Sequence, residues 1–329
     1  NLQINKLKLN EDNINLYCQI DKYLSQNIEL RIIYLFKKLV TDKKTPHINL
    51  PIISFRFFLS KLLGKINTKN YFYDPTITYD ITNVLLSEWC FFGDLKSFLE
   101  KMIDSQVFNK LNLIYWRVLF FQILQVLMVI NINYPDYRHN DLHLKNFLVD
   151  KSEAKGYYLY KIKFTQYKDY IYYLIPNLGF QIRLWDFDYS SNGEDLTNRK
   201  LIYYDSNTDT YHNYSDISNK YSDMFYIFYK IYCRFYSKIE DKNKGLKNFF
   251  EDILNKNQKI MKFFKEYNTQ TCQDKRIYGI NIKSTLEYDT PMHILSLHSF
   301  DLENGLFKEF LVKKTDISNY NIIETYTAN

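Results

Sequence analysis

Apolar residues recur at helical spacing over residues 19–40, where Ile28, Ile32, Leu35, Phe36 and Leu39 form one face. The spacing predicts an amphipathic helix, brought to an end before Thr45-Pro46. Upstream, residues 1–10 read as a short strand. Residues 52–65 are apolar and poor in breakers, and read as a helical insertion. Residues 77–89 predict two strands, the second running from Val84 to Trp89. After Gly93, Asp94 is placed to cap a helix over residues 95–102. Residues 113–132 are the most apolar stretch and predict a helix. The uncharged run 118–135 inside and beyond it is short for a membrane span and carries Gln122, Gln125, Asn131 and Asn133, so a buried core helix is the better reading. A loop over 134–145 then leads to a strand at 147–149. A Tyr-rich hairpin follows over 157–175, and another strand over 181–185. Residues 190–219 are polar without periodicity and read as a long loop. Helical patterns return at 222–236 and 246–265, and the polar end, 317–329, reads as frayed. Strands with one helix first, then a mostly helical half, predict an α+β fold with two unequal lobes.

Composition changes this picture little. The 329 residues are 46% hydrophobic and 24% charged, ordinary globular usage, and only 8 Gly and 6 Pro exclude collagen-like or linker classes. The net charge of +6 is spread thinly. Its longest runs, Lys37-Lys38, Lys43-Lys44 and Lys313-Lys314, read as solvated surface, so neither a nucleic-acid nor a membrane partner is expected. Four scattered cysteines without a CxxC argue against a zinc site or a disulfide framework, and for a reducing compartment. The opening Asn1 in place of Met suggests a fragment or a processed product, and no signal peptide is visible.

Two clusters carry chemistry. The first is His139-Asn140-Asp141-Leu142-His143-Leu144-Lys145-Asn146, in the loop between the apolar helix and a short strand. The second is Trp185-Asp186-Phe187-Asp188, at the end of a later strand. Metal-dependent phosphoryl transfer uses one carboxylate to orient a hydroxyl nucleophile, and an amide with a second carboxylate to hold Mg²⁺ against a triphosphate. With 6 His, 24 Asp and 32 Asn in the chain, an HxDxxxxN pattern arises by chance about 0.04 times. The position between helix and strand, with an Asp-Phe strand end to follow, sharpens the signal.

These residues resemble the protein-kinase-like superfamily. HNDLHLKN is similar to the catalytic loop HRDLxxxN, and Asp186-Phe187-Asp188 to the metal-binding DFG. Other pieces fall in the kinase order. Residues 29–33 and 45–48 resemble the αC helix and the segment after it. Residues 85–99 resemble the fifth strand, hinge and next helix, and Ser222-Asp223-Met224-Phe225 the start of the helix whose Asp braces the catalytic loop. YRHNDLHLKNFLV with LWDFDYS looks most like the serine/threonine kinase-like proteins of large DNA viruses. The resemblance implies a partial N-lobe over 1–86, a hinge over 87–94 and a C-lobe over 95–329, with a hairpin inserted at 150–180. It implies Asp141 as catalytic base, Asn146 and Asp186 as Mg²⁺ ligands, and His139 packed on the Asp-Phe turn. It further implies adenine binding by the backbone from Glu88 to Cys90 behind a small Ser87, ribose binding by Asp94, and Glu29 paired with an ATP-binding lysine. ATP and Mg²⁺ would be the cofactors, a protein Ser/Thr hydroxyl the acceptor, and the host cytoplasm or the virion the location.

Several positions depart from the family pattern. No GxGxxG precedes Glu29, since the first glycine is Gly64. No V-A-I-K occurs, which leaves Lys8 as the best substitute for the ATP-binding lysine, with Lys6 behind it. His143 stands where kinases usually carry Lys or Ala, and Asp188 replaces the DFG glycine, which would make that turn less permissive. Two alternatives therefore stand beside a protein kinase: a small-molecule kinase of the aminoglycoside or choline type, and a pseudokinase or scaffold.

Overall fold

The computed structural model describes residues 25–58, 81–104, 113–164, 167–193, 198–205, 210–213 and 306–328, together with Leu196 and part of 223–235. The strand expected over 1–10, the helix expected over 246–265, and Lys6 and Lys8 lie outside them. Helix α1 (Ser25–Thr41) buries Ile28, Ile32, Ile33, Phe36 and Leu39, while Leu35 stays partly exposed. Strands β1 (Pro51–Phe58) and β2 (Ile81–Ser87) pair antiparallel. The helical reading of 52–65 is thus corrected over 52–58. That segment is rich in β-branched and aromatic residues, and its ladder partner lies beyond a window of local periodicity.

The two-residue β3 (Gly93–Asp94) leads into α2 (Leu95–Asp104). Asp94 caps that helix: its Oδ1 accepts the Ser97 N–H at 2.9 Å and its Oδ2 the Ser97 hydroxyl at 2.8 Å. Helix α3 (Leu113–Asn133) has the length and apolarity of a membrane span, yet it is buried on nearly every side by protein. Its two buried glutamines are both used. Gln122 Oε1 accepts the Ile182 N–H at 2.9 Å; Gln125 donates to the Lys44 carbonyl at 2.9 Å and accepts from the Thr45 hydroxyl. These bonds fasten the strand before Asp186 and the segment after α1 to one rigid helix.

After α3 come β4 (Tyr137–Arg138), β5 (Phe147–Lys151), β6 (Tyr157–Ile162), β7 (Ile171–Pro176), β8 (Phe180–Leu184) and β9 (Ser191–Asn192). Strands β10 (Ile202–Asp205) and β11 (Thr210–Asn213) form a hairpin inside the stretch read as loop, and β12 is Ile322–Ala328. One sheet runs β3-β5-β8 and a second β12-β6-β7, while β4 pairs with β9. The expected hairpin is present as β6–β7. The expected frayed end is corrected, because β12 is a parallel partner of β6, with Ile322 opposite Tyr157 far upstream, and its Thr327 N–H reaches the Lys43 carbonyl at 2.8 Å. Helices and sheets together make the chain α+β.

Candidate active site

The sheet β3-β5-β8 carries both motif clusters. The loop 139–146 runs into β5, β8 runs out into Asp186, and the Trp185 N–H donates to the Asn146 carbonyl at 2.9 Å where the two segments meet. A parallel bridge from Ile48 to Leu184, with hydrogen bonds from Leu184 N–H to His47 O and from Asn49 N–H to Leu184 O, ties in the segment that follows α1.

The loop 139–146 is braced from below by one carboxylate. Asp223, nearly buried, accepts the His139 N–H at 2.6 Å on Oδ2 and the Asn140 N–H at 2.9 Å on Oδ1. Charge-assisted bonds of this kind are about twice as strong as neutral ones. Asn140 has φ of 63°, a left-handed conformation that asparagine tolerates. Its Nδ2 donates to the Tyr189 carbonyl at 3.0 Å and the Ser191 hydroxyl at 3.2 Å, joining the two motifs a second time.

Asp141 is buried and next to His143, whose Nε2 lies 3.8 Å from its Oδ2. His143 Nδ1 accepts the Lys145 N–H at 3.2 Å, and burial holds its imidazole below the ordinary value against the pull of Asp141. Asn146, also buried, donates from Nδ2 to the Asp141 carbonyl at 2.8 Å, so its amide oxygen is left as the atom for a cation. His139 is fully buried, its Nε2 lies 3.2 Å from the Trp185 carbonyl, and its ring sits 5.6 Å from that of Phe187. Phe187 in turn meets Phe36 of α1 edge-on at 5.4 Å.

Through α1 this contact sets Glu29 beside the second motif. Burial first, then the negative charges of Asp186 and Asp188, push the Glu29 carboxyl up to about 7, while the Phe187 N–H and Lys200 act in the opposite sense. Asp186 itself has φ of 61°, and Asp188 does not fall in the left-handed region. The special backbone conformation sits on the first residue of Asp-Phe-Asp, so the absence of glycine at the third imposes no strain.

The remaining predicted residues have bonds of their own, with Asp94 on β3 of the same sheet, paired with Leu148. The Glu88 carboxylate accepts the Leu50 N–H at 3.1 Å, and Glu88 N–H donates to the Leu50 carbonyl at 3.1 Å. Cys90 is buried with Sγ 3.6 Å from Asn49 Oδ1, and burial with nearby Asp150 pushes its thiol up to about 11. Trp89 between them is 86% exposed. Both Asp94 oxygens are taken up in capping α2. Sequence reasoning did not single out Asn140 or Asn198. Asn198 is fully buried and donates from Nδ2 to the Asp188 carbonyl at 2.7 Å and the Ser190 carbonyl at 3.1 Å. An asparagine inside the first motif was a readable signal for a left-handed residue; nothing local marked Asn198.

Among the described residues no group of three or more His, Cys, Asp or Glu is arranged to hold a metal ion alone. Asn146 and Asp186 fit a different kind of site, since Mg²⁺ commonly takes one or two protein oxygens and completes its shell with phosphates and water.

No protein-family model matches the chain. It is 32% identical over 222 residues to a protein of Acanthamoeba polyphaga mimivirus named "Putative serine/threonine-protein kinase". The match covers 62% of this chain and 44% of the mimivirus protein, so the chain spans less than half the length of that relative. The chain is thereby related to a kinase-like protein of a large DNA virus.

Proposed function

We propose that the chain is the phosphotransferase part of a serine/threonine protein kinase, moving the γ-phosphoryl group of ATP to a protein hydroxyl across a cleft between two lobes. The observation that carries this reading is the joining of Asp141, Asn146 and Asp186 by backbone and amide hydrogen bonds on adjacent strand ends. The kinship to the mimivirus protein supports the same chemistry.

In this reading Asp141 accepts a hydrogen bond from the acceptor hydroxyl and orients its oxygen toward the γ-phosphorus, taking the proton as the new O–P bond forms and the bond from the γ-phosphorus to the bridging oxygen breaks to release ADP. Its burial limits competition from water, and the Asn146 amide bonded to its carbonyl keeps that backbone in register. Asn146 Oδ1 and the Asp186 carboxylate would hold Mg²⁺, which when bound neutralises charge on the phosphates. His139 holds Trp185 and Phe187 in place, and so keeps Asp186 on the same side of the loop as Asp141. Glu29 would pair with an ATP-binding lysine, for which Lys8 is the candidate.

The test is transfer of γ-phosphate from Mg²⁺-ATP to a Ser/Thr protein substrate or to the chain itself. Asp141→Asn retains size and removes the charge. It should lower kcat at least about 10²-fold, within the usual contribution of a general base, and leave ATP affinity nearly unchanged. Full turnover in that variant would remove Asp141 from the mechanism. ATP binding without any transfer by the parent chain would move the assignment to a pseudokinase.

A further inference from the structure

A cleft that receives a triphosphate is weakened by any carboxylate that does not hold the metal, orient the acceptor hydroxyl or pair with the ATP-binding lysine. Asp188 is such a group. It stands two residues from Asp186, and its backbone N–H lies 3.4 Å from Asp186 Oδ1. A second negative charge beside Asp186 would repel a bound polyanion and weaken its binding. The structure supplies a cation against this. Lys200 Nζ pairs with Asp188 Oδ2 and lies 5.3 Å from the centroid of the Tyr189 ring.

Lys200 does not reach this place as a loose surface side chain. Its N–H donates to Asn198 Oδ1 at 3.0 Å, and the Leu201 N–H donates to the Asn198 carbonyl at 3.0 Å. Asn198 is fully buried and spends both amide hydrogens on the carbonyls of Asp188 and Ser190. The turn that bears the ammonium is therefore fastened to the turn that bears the carboxylate, which lowers the conformational cost of holding the pair.

We propose that Lys200 is a positioning residue for the nucleotide: by neutralising Asp188 it lets the triphosphate approach Asp186. This rests on the phosphotransfer reading above. Asp188 with Lys200 then forms a matched unit in which the pair, rather than a glycine, makes the segment compatible with ATP.

The test compares Mg²⁺-ATP with adenosine, which lacks phosphates, in binding titrations of the parent chain, Lys200→Met, Asp188→Asn and the double variant. Lys200→Met should weaken ATP about three- to tenfold, the scale of one uncompensated charge in a partly exposed site, and leave adenosine unchanged. Asp188→Asn should bind ATP at least as tightly as the parent, and the double variant should recover parental ATP affinity because the repelling carboxylate is gone. A purely structural role for Lys200 would weaken both ligands together and would not be rescued by Asp188→Asn. Either of those results, or unchanged ATP affinity in Lys200→Met, overturns the proposal. A parent chain that binds neither ligand would instead contradict the phosphotransfer reading, and the proposal with it.

Discussion

The sheet that carries the motifs and the sheet built from the inserted hairpin are held by different forces. In the motif sheet, β3-β5-β8, the functional loops are fixed by a few polar side chains bonded to backbone: Asp223 to two N–H groups, Asn140 to the segment after Asp186, Asn146 to Asp141. In the hairpin sheet, β12-β6-β7, the ladder is backed by packed rings. Phe121 of α3 meets Tyr160 at 5.1 Å, Tyr173 at 5.2 Å and Phe307 at 5.6 Å, and Tyr326 stacks on Tyr160 at 5.2 Å. Polar bonds to backbone fix direction, which chemistry needs. Buried rings supply area, which stability needs. A substitution in the first region should therefore disturb turnover more than folding, and one in the second should do the reverse.

The largest effect on this contrast should come from Phe121→Ala. It removes a fully buried ring from the centre of the aromatic group, and chemical denaturation should show a loss of about 3–5 kcal/mol. The surviving folded fraction should keep its ATP affinity. Smaller in stability and larger in function is Asp223→Ala. It leaves the His139 and Asn140 N–H groups without their acceptor, at a cost of about 2–3 kcal/mol. Turnover should fall well beyond what the unfolded fraction explains, as a kinetic assay corrected for folded protein would reveal.

Legibility divides along a different line, the distance in sequence between paired residues. Both motif loops, α3, the Asp94 cap and the β6–β7 hairpin could be read in the chain, because each is encoded within a window of about twenty residues by periodicity, capping or a motif. Strand β12 could not. The sequence IIETYTA has half-polar alternation with no turn signal to announce a partner, and its ladder is parallel to residues 157–162 far upstream. The same holds for β1, read as helix because its partner β2 lies beyond the local pattern. In the site, the residue types, the bracing by Asp223 and the packing of His139 on the Asp-Phe turn were legible through the resemblance, while the bracing by Asn140 and Asn198 was not. The left-handed position fell on Asp186 and not on Asp188, and Asn198 sits in a stretch that carries no periodicity.

His47 links the two regions and gives a test through pH. Its ring is fully buried, with Nδ1 3.1 Å from the Ile182 carbonyl and Nε2 2.9 Å from the Tyr160 hydroxyl. Burial, reinforced by Arg183, pushes its imidazole down to about 3. The unfolded chain binds a proton near the ordinary value of about 6.5 and the folded chain does not. Stability from this group is therefore full above about 6.5 and falls as pH drops toward 3, by at most about 1.4 kcal/mol per pH unit. Denaturation curves of His47→Gln against the parent between those limits should show a shallower pH dependence. Parallel slopes would mean that His47 is protonated in the folded chain.

The central claim is that Asn146 and Asp186 face one Mg²⁺-nucleotide site with Asp141 beside them. Calorimetric titration of ATP into the parent chain and into Asp186→Ala, each with and without Mg²⁺, tests it directly. In the parent, Mg²⁺ should tighten ATP binding. In Asp186→Ala that dependence on the metal should vanish while the unfolding midpoint stays close to the parent's, since the residue is only partly buried and the hydrogen bond its carboxylate accepts from the Asp188 N–H is long at 3.4 Å. Unchanged Mg²⁺-ATP affinity in Asp186→Ala would contradict the account.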